Sequence, residues 1–498
     1  MNAVQDWLAL HALLTPKRIA AEDLTSDRVW TYGELHLLVA CFATHLRMRG
    51  IGSGERVAAL SRNRVEQIAL HLACARIGAI YVPLNWRLAA AEINILIADC
   101  EPALILGDAM LDRHGLIGLD IDRFHAEALQ ARPIQEPAGD PDEPSLLLYT
   151  SGTSGVPKGV LLSESNIFQT AVNSSILCAV NQESAFLCDT PMFHIIGMIT
   201  NVRPALLRGA RLLISDGFDP VRTLARLSDA RLGATHYFCV PQMAAALRAA
   251  PGFDARPLRR LTAIFTGGAP QPAANIRAWL DDDVSIVDGF GMTELGTVFG
   301  MPIDRIEIAK RAGSVGLASP TIETRIVDGH GCVCAPGIAG ELQVRGPNVA
   351  RGYWRKPELE QQVFAAGGWF RTGDIAKRDD EGFHWIVDRQ KDMYISGGEN
   401  VYPSEIEAAL ADCDGVAECA AIGVPDAKWG EVGCLYVVTK PGANLNSELV
   451  LKHLAPRLAR FKLPKQVCFV DELPWSGPGK VNKRKLRAAF DATSGIKL

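Results

Sequence analysis

The chain has 498 residues, 48% hydrophobic and 21% charged, which suits a large core in about two to four units and excludes wholesale disorder. With 51 basic and 56 acidic residues the net charge is −5, so no general attraction to nucleic acid or acidic membranes is expected. Twelve scattered cysteines without CxxC pairs, no 18-residue apolar run and no cleavable signal pattern lead us to expect a cytoplasmic protein with free thiols and no transmembrane segment.

In chain order, Trp30-Thr31-Tyr32-Gly33-Glu34 opens a predicted helix whose apolar face is Leu37, Val39, Ala40, Ala43 and Leu46. Arg56–Leu60 reads as a buried strand. A helix follows with Val65, Ile68, Ala69, Leu72 and Ala75 on one face, ending near Gly78, and Ala79–Pro83 completes a β-α-β unit. Residues 132–144 form an acidic, proline-rich surface loop. Strands at 210–215, 234–240, 261–266 and 284–288 then alternate with helices at 220–230, 241–250 and 271–280, the order of parallel α/β layers. Beyond about residue 310, glycines punctuate short β-runs such as Glu341-Leu342-Gln343-Val344, which implies a small β-rich subdomain. After the charged stretch Asp388–Asp392, Ser404-Glu405-Ile406-Glu407 fits a capping box. Strands at about 416–424 and 431–439, a helix at 447–459 and a basic tail follow. We expect two domains, residues 1–388 and a mobile α+β lid at 389–498.

The apolar run Leu146-Leu147-Leu148-Tyr149 breaks into Thr150-Ser151-Gly152-Thr153-Ser154-Gly155-Val156-Pro157-Lys158-Gly159. Glycines bring backbone N–H groups close to a ligand, hydroxyls donate, and lysine adds charge, a combination suited to a polyphosphate. A plain surface loop has the same composition. The stretch is not a Walker A loop, because Gly159 follows Lys158 and the glycine-to-lysine spacing is wrong.

Further segments follow in a fixed order: Pro191-Met192-Phe193-His194, Gly267-Gly268-Ala269-Pro270, Gly289-Phe290-Gly291-Met292-Thr293-Glu294, Thr372-Gly373-Asp374, Asp388-Arg389-Gln390-Lys391-Asp392, Gly397–Glu407 and Gly479-Lys480. In this the chain closely resembles, over nearly its whole length, the adenylate-forming superfamily of acyl- and aryl-CoA synthetases, peptide-synthetase adenylation domains and firefly luciferase. The resemblance implies an α/β enzyme that joins a small carboxylic acid to ATP, forming acyl-AMP and pyrophosphate, and then passes the acyl group to coenzyme A. Phosphate charge builds up in the first step, so fixed donors, a cation and Mg²⁺ are the groups such a site needs.

By the same resemblance, Thr150, Ser151, Gly152, Thr153, Ser154, Gly155 and Lys158 embrace the β- and γ-phosphates, Thr293 meets the α-phosphate, and Glu294 holds Mg²⁺. Adenine lies between the Gly268-Ala269 backbone and Phe290, within the run Gly289-Phe290-Gly291-Met292, with Asp288 near its amino edge. Phenylalanine at 290, where the family usually has tyrosine, keeps the stacking face and loses a hydroxyl. Asp374 accepts from the ribose hydroxyls, with Arg389 adding a contact across the hinge. Lys480 reaches the substrate carboxylate and α-phosphate during adenylation. Rotation at Lys391 then replaces Lys480 with the Ser396-Gly397-Gly398 face, and Arg87, Trp429 and Lys465 contact the CoA nucleotide. His194 gates the acyl pocket, senses the thiol, or is simply packed. That pocket is expected from Ile195, Ile196, Gly197, Met198, the 264–269 strand end and residues 295–300, with Gly296 and Gly300 leaving room for a fatty or a phenylpropenoic acid. Two rivals stand beside a CoA ligase: an adenylating enzyme that loads a carrier-protein phosphopantetheine, and a non-catalytic nucleotide-binding regulator. A monomer or a homodimer is equally compatible.

Overall fold

The computed structural model describes residues 6–133, 139–150, 157–269, 271–396, 399–426, 429–475 and 481–494. Two large sheets dominate. One runs in the order Leu317–Ala318, Gly296–Gly300, Ile286–Met292, Ala263–Thr266, His236–Cys239, Ala185–Cys188, Arg211–Ile214, Ile19–Asp23, Arg28–Thr31. Its centre is parallel and both edges are antiparallel. The other runs Gly352–Tyr353, Lys158–Ser163, Pro144–Thr150, Ile80–Pro83, Arg56–Leu60, Leu104–Gly107, Leu119–Asp120. It is parallel from Pro144–Thr150 onward, and the two strands before that pair antiparallel. The parallel α/β layers read from the alternation of runs are present.

Helix Val65–Ile77 lies between these layers and contacts strands of both. Its apolar residues are buried nearly all round, as a helix between two layers requires, and Gly78 stops it with φ +75°. Helix Tyr32–Met48 packs on it, started by a capping box in which Thr31 and Glu34 satisfy each other's orphan donors. Its inner face is Leu35, Leu38, Val39, Phe42 and Leu46, while Leu37, expected inside, is 51% exposed. So many apolar residues occupy this helix that spacing alone points to more than one face.

The expected β-rich unit is a mostly antiparallel sheet, Glu323–Val327, Gly340–Arg345, Trp369–Arg378 and Phe364–Ala365, with His384–Arg389 also pairing with Trp369–Arg378. A last sheet holds Glu399–Val401, Tyr394–Ser396, Gly430–Thr439 and Val416–Asp426, and Gln466–Phe469 joins it in parallel. Two details differ from expectation. Ser404 does not cap its helix, which spans Pro403–Leu410 after Tyr402, because the Ser404 hydroxyl donates instead to the Val387 carbonyl. The basic tail is helical over Lys483–Ser494, with Lys483 turned inward to Glu407 at 2.8 Å. Among the described residues no helix is long and apolar enough to cross a membrane.

Candidate active site

The two ends of the segment Tyr149–Gly159 belong to paired strands. Thr150 ends one strand, Lys158 begins its antiparallel partner, and the two residues face each other. The Thr150 hydroxyl donates to the Lys158 carbonyl at 3.3 Å. The strand ladder therefore fixes the direction in which the Lys158 stem leaves the sheet. Ser151, Gly152, Thr153, Ser154 and Gly155 lie outside the described residues.

Thr293 and Glu294 occupy the turn between strands Ile286–Met292 and Gly296–Gly300. Glu294 is largely buried, and its Oε1 accepts from the Tyr353 hydroxyl at 2.9 Å. Among the described residues it forms no ion pair, and no group of three or more His, Cys, Asp or Glu side chains could hold a metal. One carboxylate without a neutralising cation fits Mg²⁺, a hard ion that takes one or two protein oxygens and draws the rest from phosphate and water.

Toward the proposed adenine region, the parallel strands Ala263–Thr266 and Ile286–Met292 end side by side, Thr266 opposite Asp288. Gly268 is exposed there with φ +82°, Ala269 lies beside it, and Phe290 is half-buried, its ring 6.0 Å from Phe299. Gly289, Gly291 and Met292 continue the strand as it pairs with Gly296–Gly300. Asp288 accepts from the Thr266 hydroxyl at 3.0 Å and from the Gly289 and Gln271 amides. Burial outweighs those bonds and pushes its carboxyl up to about 8.

Asp374 and Arg389 are cross-strand neighbours on Trp369–Arg378 and His384–Arg389. Arg389 Nε lies 2.5 Å from Asp374 Oδ1, and the carboxylate is almost fully buried while the guanidinium is partly open. Gly373, at φ +68°, makes the bend before Asp374, and the Gln390 amide closes on its carbonyl at 2.9 Å.

His194 sits in a bend before a π-helical turn, Ile196–Thr200, a form common at functional sites. Its Nε2 is buried with no partner among the described residues. Burial, assisted by the nearby Arg87 charge, lowers the imidazole to about 4, so the ring is neutral at physiological pH. Arg87 stands over Trp86 and Phe193 at 5.1 and 5.9 Å. Two asparagines that the sequence reading did not single out grip this segment. Asn63 donates to the Thr190 carbonyl at 2.8 Å and accepts from the Met192 amide at 2.9 Å. Asn201 donates to the Thr190 hydroxyl at 2.8 Å and to the Ile196 carbonyl at 3.1 Å. A Cβ placed on Gly268 would meet Ile196 Cδ1 at 3.6 Å and Val240 Cγ1 at 3.8 Å, so the strand end faces an apolar wall.

The expectation that Gly296 and Gly300 open space for the acid is corrected. A Cβ on Gly296, whose φ is +60°, would overlap Thr170, and one on Gly300 would meet Leu177 Cδ1 at 3.1 Å. Helix Glu164–Leu177 fills that side, and the glycines serve its close packing.

In the C-terminal sheet Ser396 is buried and faces Gly430 across the ladder. Trp429 is exposed, with Lys465 Nζ 5.5 Å from its ring and 3.2 Å from Asp426. Trp429 and Lys465 are thus together, whereas Arg87 is beside His194. Gly397, Gly398 and Lys480 lie outside the described residues. Tyr353 was missed because its link to Glu294 crosses 59 positions and no local spacing marks it.

Residues 8–354 match the AMP-binding enzyme family and residues 405–480 match the AMP-binding enzyme C-terminal domain. The chain is 36% identical to a feruloyl-CoA synthase of Amycolatopsis sp, covering 97% of this chain and 98% of that one. It is 33% identical to the long-chain-fatty-acid–CoA ligase FadD13 of Mycobacterium tuberculosis, covering 99% of each. ATP-bound MatB from Rhodopseudomonas palustris superposes with a TM-score of 0.87 at 32% identity, over 97% of this chain and 99% of that one. With matches over residues 8–354 and 405–480, the chain belongs to the AMP-binding enzyme family, the adenylate-forming group its motif order resembles.

Proposed function

We propose that the protein is an AMP-forming carboxylate–CoA ligase, dependent on ATP and Mg²⁺, for an acid with an apolar tail of the fatty or phenylpropenoic kind. The observation that carries this reading is the approach of Lys158 and Glu294 to one tyrosine, with neither in an ion pair among the described residues. A cation and an anion held near each other but unquenched suit a metal–polyphosphate complex, which needs both.

In the first half-reaction the acid's carboxylate oxygen bonds to the α-phosphorus of ATP and pyrophosphate leaves. The stretch from Thr150 to Lys158 holds the β- and γ-phosphates, Thr293 the α-phosphate, and Asp374 with Arg389 the ribose. The adenine rests by Gly268, Ala269 and Phe290, and the Asp288 carboxyl stands near its edge. Lys480 draws the acid's oxygen to the phosphate. Glu294 would hold Mg²⁺, which when bound offsets phosphate charge. In the second half-reaction the CoA sulfur bonds to the acyl carbonyl and AMP leaves. The chain turns at Lys391, between a domain ending near residue 388 and a lid, and brings Ser396, Gly397 and Gly398 to the pantetheine path. Arg87, Trp429 and Lys465 meet the CoA nucleotide. Neutral His194 lines the acyl side, where an uncharged ring suits an apolar tail. Twelve free thiols support a cytoplasmic location.

The wall of Ile196 and Val240 supports an apolar tail, and related enzymes are named for feruloyl and long-chain fatty acyl groups. Pyrophosphate release across a panel of carboxylates, with and without CoA, tests the reading. Release should need an apolar monocarboxylate, with thioester formed only when CoA is present. Release that ignores the carboxylate would refute a ligase.

A further inference from the structure

We infer that Tyr353 is a positioning residue that holds Lys158 and Glu294 at a working separation, and so sets how tightly the enzyme takes up Mg²⁺ with ATP. The inference rests on the ligase reading above. Tyr353 lies in Ala350–Lys356, a segment that fastens both halves of the polyphosphate site. On one side, the Ala350 amide donates to the Glu294 carbonyl at 2.7 Å, and the Tyr353 hydroxyl to the Glu294 carboxylate at 2.9 Å. On the other, Gly352 and Tyr353 pair with Leu161 and Val160 of the strand that Lys158 opens. The Trp354 amide donates to the Gly159 carbonyl at 2.7 Å, and Lys356 Nζ donates to the Pro157 carbonyl at 2.9 Å. Lys158 Nζ itself stands 5.6 Å from the centre of the Tyr353 ring.

A buried ring with a carboxylate at its hydroxyl and an ammonium over its face divides two opposite charges. Brought into direct contact, Lys158 and Glu294 would neutralise each other, and the site would have to break that pair before accepting phosphate or metal. The ring offers the ammonium a weaker attraction than a carboxylate would, so the lysine stays available. The hydroxyl meanwhile holds Glu294 in one orientation. A phenol is protonated at neutral pH and a carboxylate only accepts, so Tyr353 is the donor of that bond.

The test is a Mg²⁺ titration of the protein saturated with the non-hydrolysable α,β-methylene ATP, read by calorimetry, alongside metal-free binding of AMP. Tyr353→Phe keeps the ring and removes only the donor. Mg²⁺ affinity should fall about tenfold, the size expected of one hydrogen bond to a charged group, with AMP affinity unchanged and the melting temperature lower by only a few degrees. Tyr353→Leu also removes the spacer, and should lower Mg²⁺ affinity further. In a Glu294→Gln background, Tyr353→Phe should add little, because the group it orients is gone. Unchanged Mg²⁺ affinity in Tyr353→Phe would overturn the inference. So would an equal loss of AMP and Mg²⁺ binding, or the same loss in the Glu294→Gln background, since each describes general packing. Wild-type protein that bound neither AMP nor the analogue would overturn the ligase reading itself, and this inference with it.

Discussion

Replacing Asp374 with alanine should weaken ATP binding by about 3 kcal/mol, roughly 150-fold, with little effect on folding. The carboxylate is almost fully buried beside a partly exposed guanidinium, with Arg389 Nε on Oδ1 at 2.5 Å. If it receives both ribose hydroxyls, alanine removes two bonds to a charged acceptor, each worth about 1.5–3 kcal/mol, and water restores part of the loss. Arg389 is open enough to be hydrated when its partner goes, so the melting temperature should move by only a few degrees. Asp374→Asn keeps an acceptor without the charge and should fall between alanine and wild type. Calorimetry with ATP and 2′-deoxy-ATP isolates the contact. Wild type should prefer ATP, and Asp374→Ala should bind the two alike. A variant that still discriminates between them, or that binds ATP as wild type does, would remove Asp374 from the ribose.

Lys480→Ala should slow acyl-AMP formation about a thousandfold and spare thioester formation from supplied acyl-AMP, and equal damage to both half-reactions would contradict its assigned role. Proline at Lys391 fixes φ near −65°, so Lys391→Pro should form acyl-AMP in a single turnover yet make thioester very slowly, while normal thioester rates would move the pivot elsewhere. His194, His236 and His384 are each lowered to about 4 by burial, while an unfolded histidine titrates near 6.5. Their contribution is therefore complete above pH 6.5 and lost as pH falls toward 4, by at most about 3 kcal/mol each. Calorimetric melting should decline across that window and His236→Gln should flatten the decline, whereas an unchanged slope would exclude His236 as a contributor.

The central parallel strands were legible because burial on both faces demands short continuous apolar runs, such as Val57–Leu60 and Ala263–Phe265. The β-rich unit declared itself through glycine punctuation. Ser404 was misread because Ser-Glu-Ile-Glu imitates a cap, and only the tertiary fold offers its hydroxyl the Val387 carbonyl. Leu37 was misplaced for another reason, since an apolar-rich helix can be turned more than one way about its axis. The chemistry-bearing motifs stood out because their residue types are unusual in combination. The groups that steady them, Asn63, Asn201 and Tyr353, did not. Each acts on atoms supplied by other elements, and a hydrogen bond from Asn63 to Thr190 leaves no periodic trace across 127 positions.

The contact of helix Glu164–Leu177 with Gly296 and Gly300 also governs how this enzyme can change over evolutionary time. Those glycines admit no side chain without displacing Thr170 or Leu177, and the Ser174 hydroxyl is bonded to Thr297 at 2.8 Å on the same seam. A mutation there would be tested first for foldability and only afterwards for catalysis. Ile196 and Val240 face the strand end at half-buried positions, where exchanging one apolar side chain for another leaves the seam untouched. On the acyl-pocket reading proposed above, new acids are reached most readily by recarving that wall, while the packed glycine seam is inherited intact.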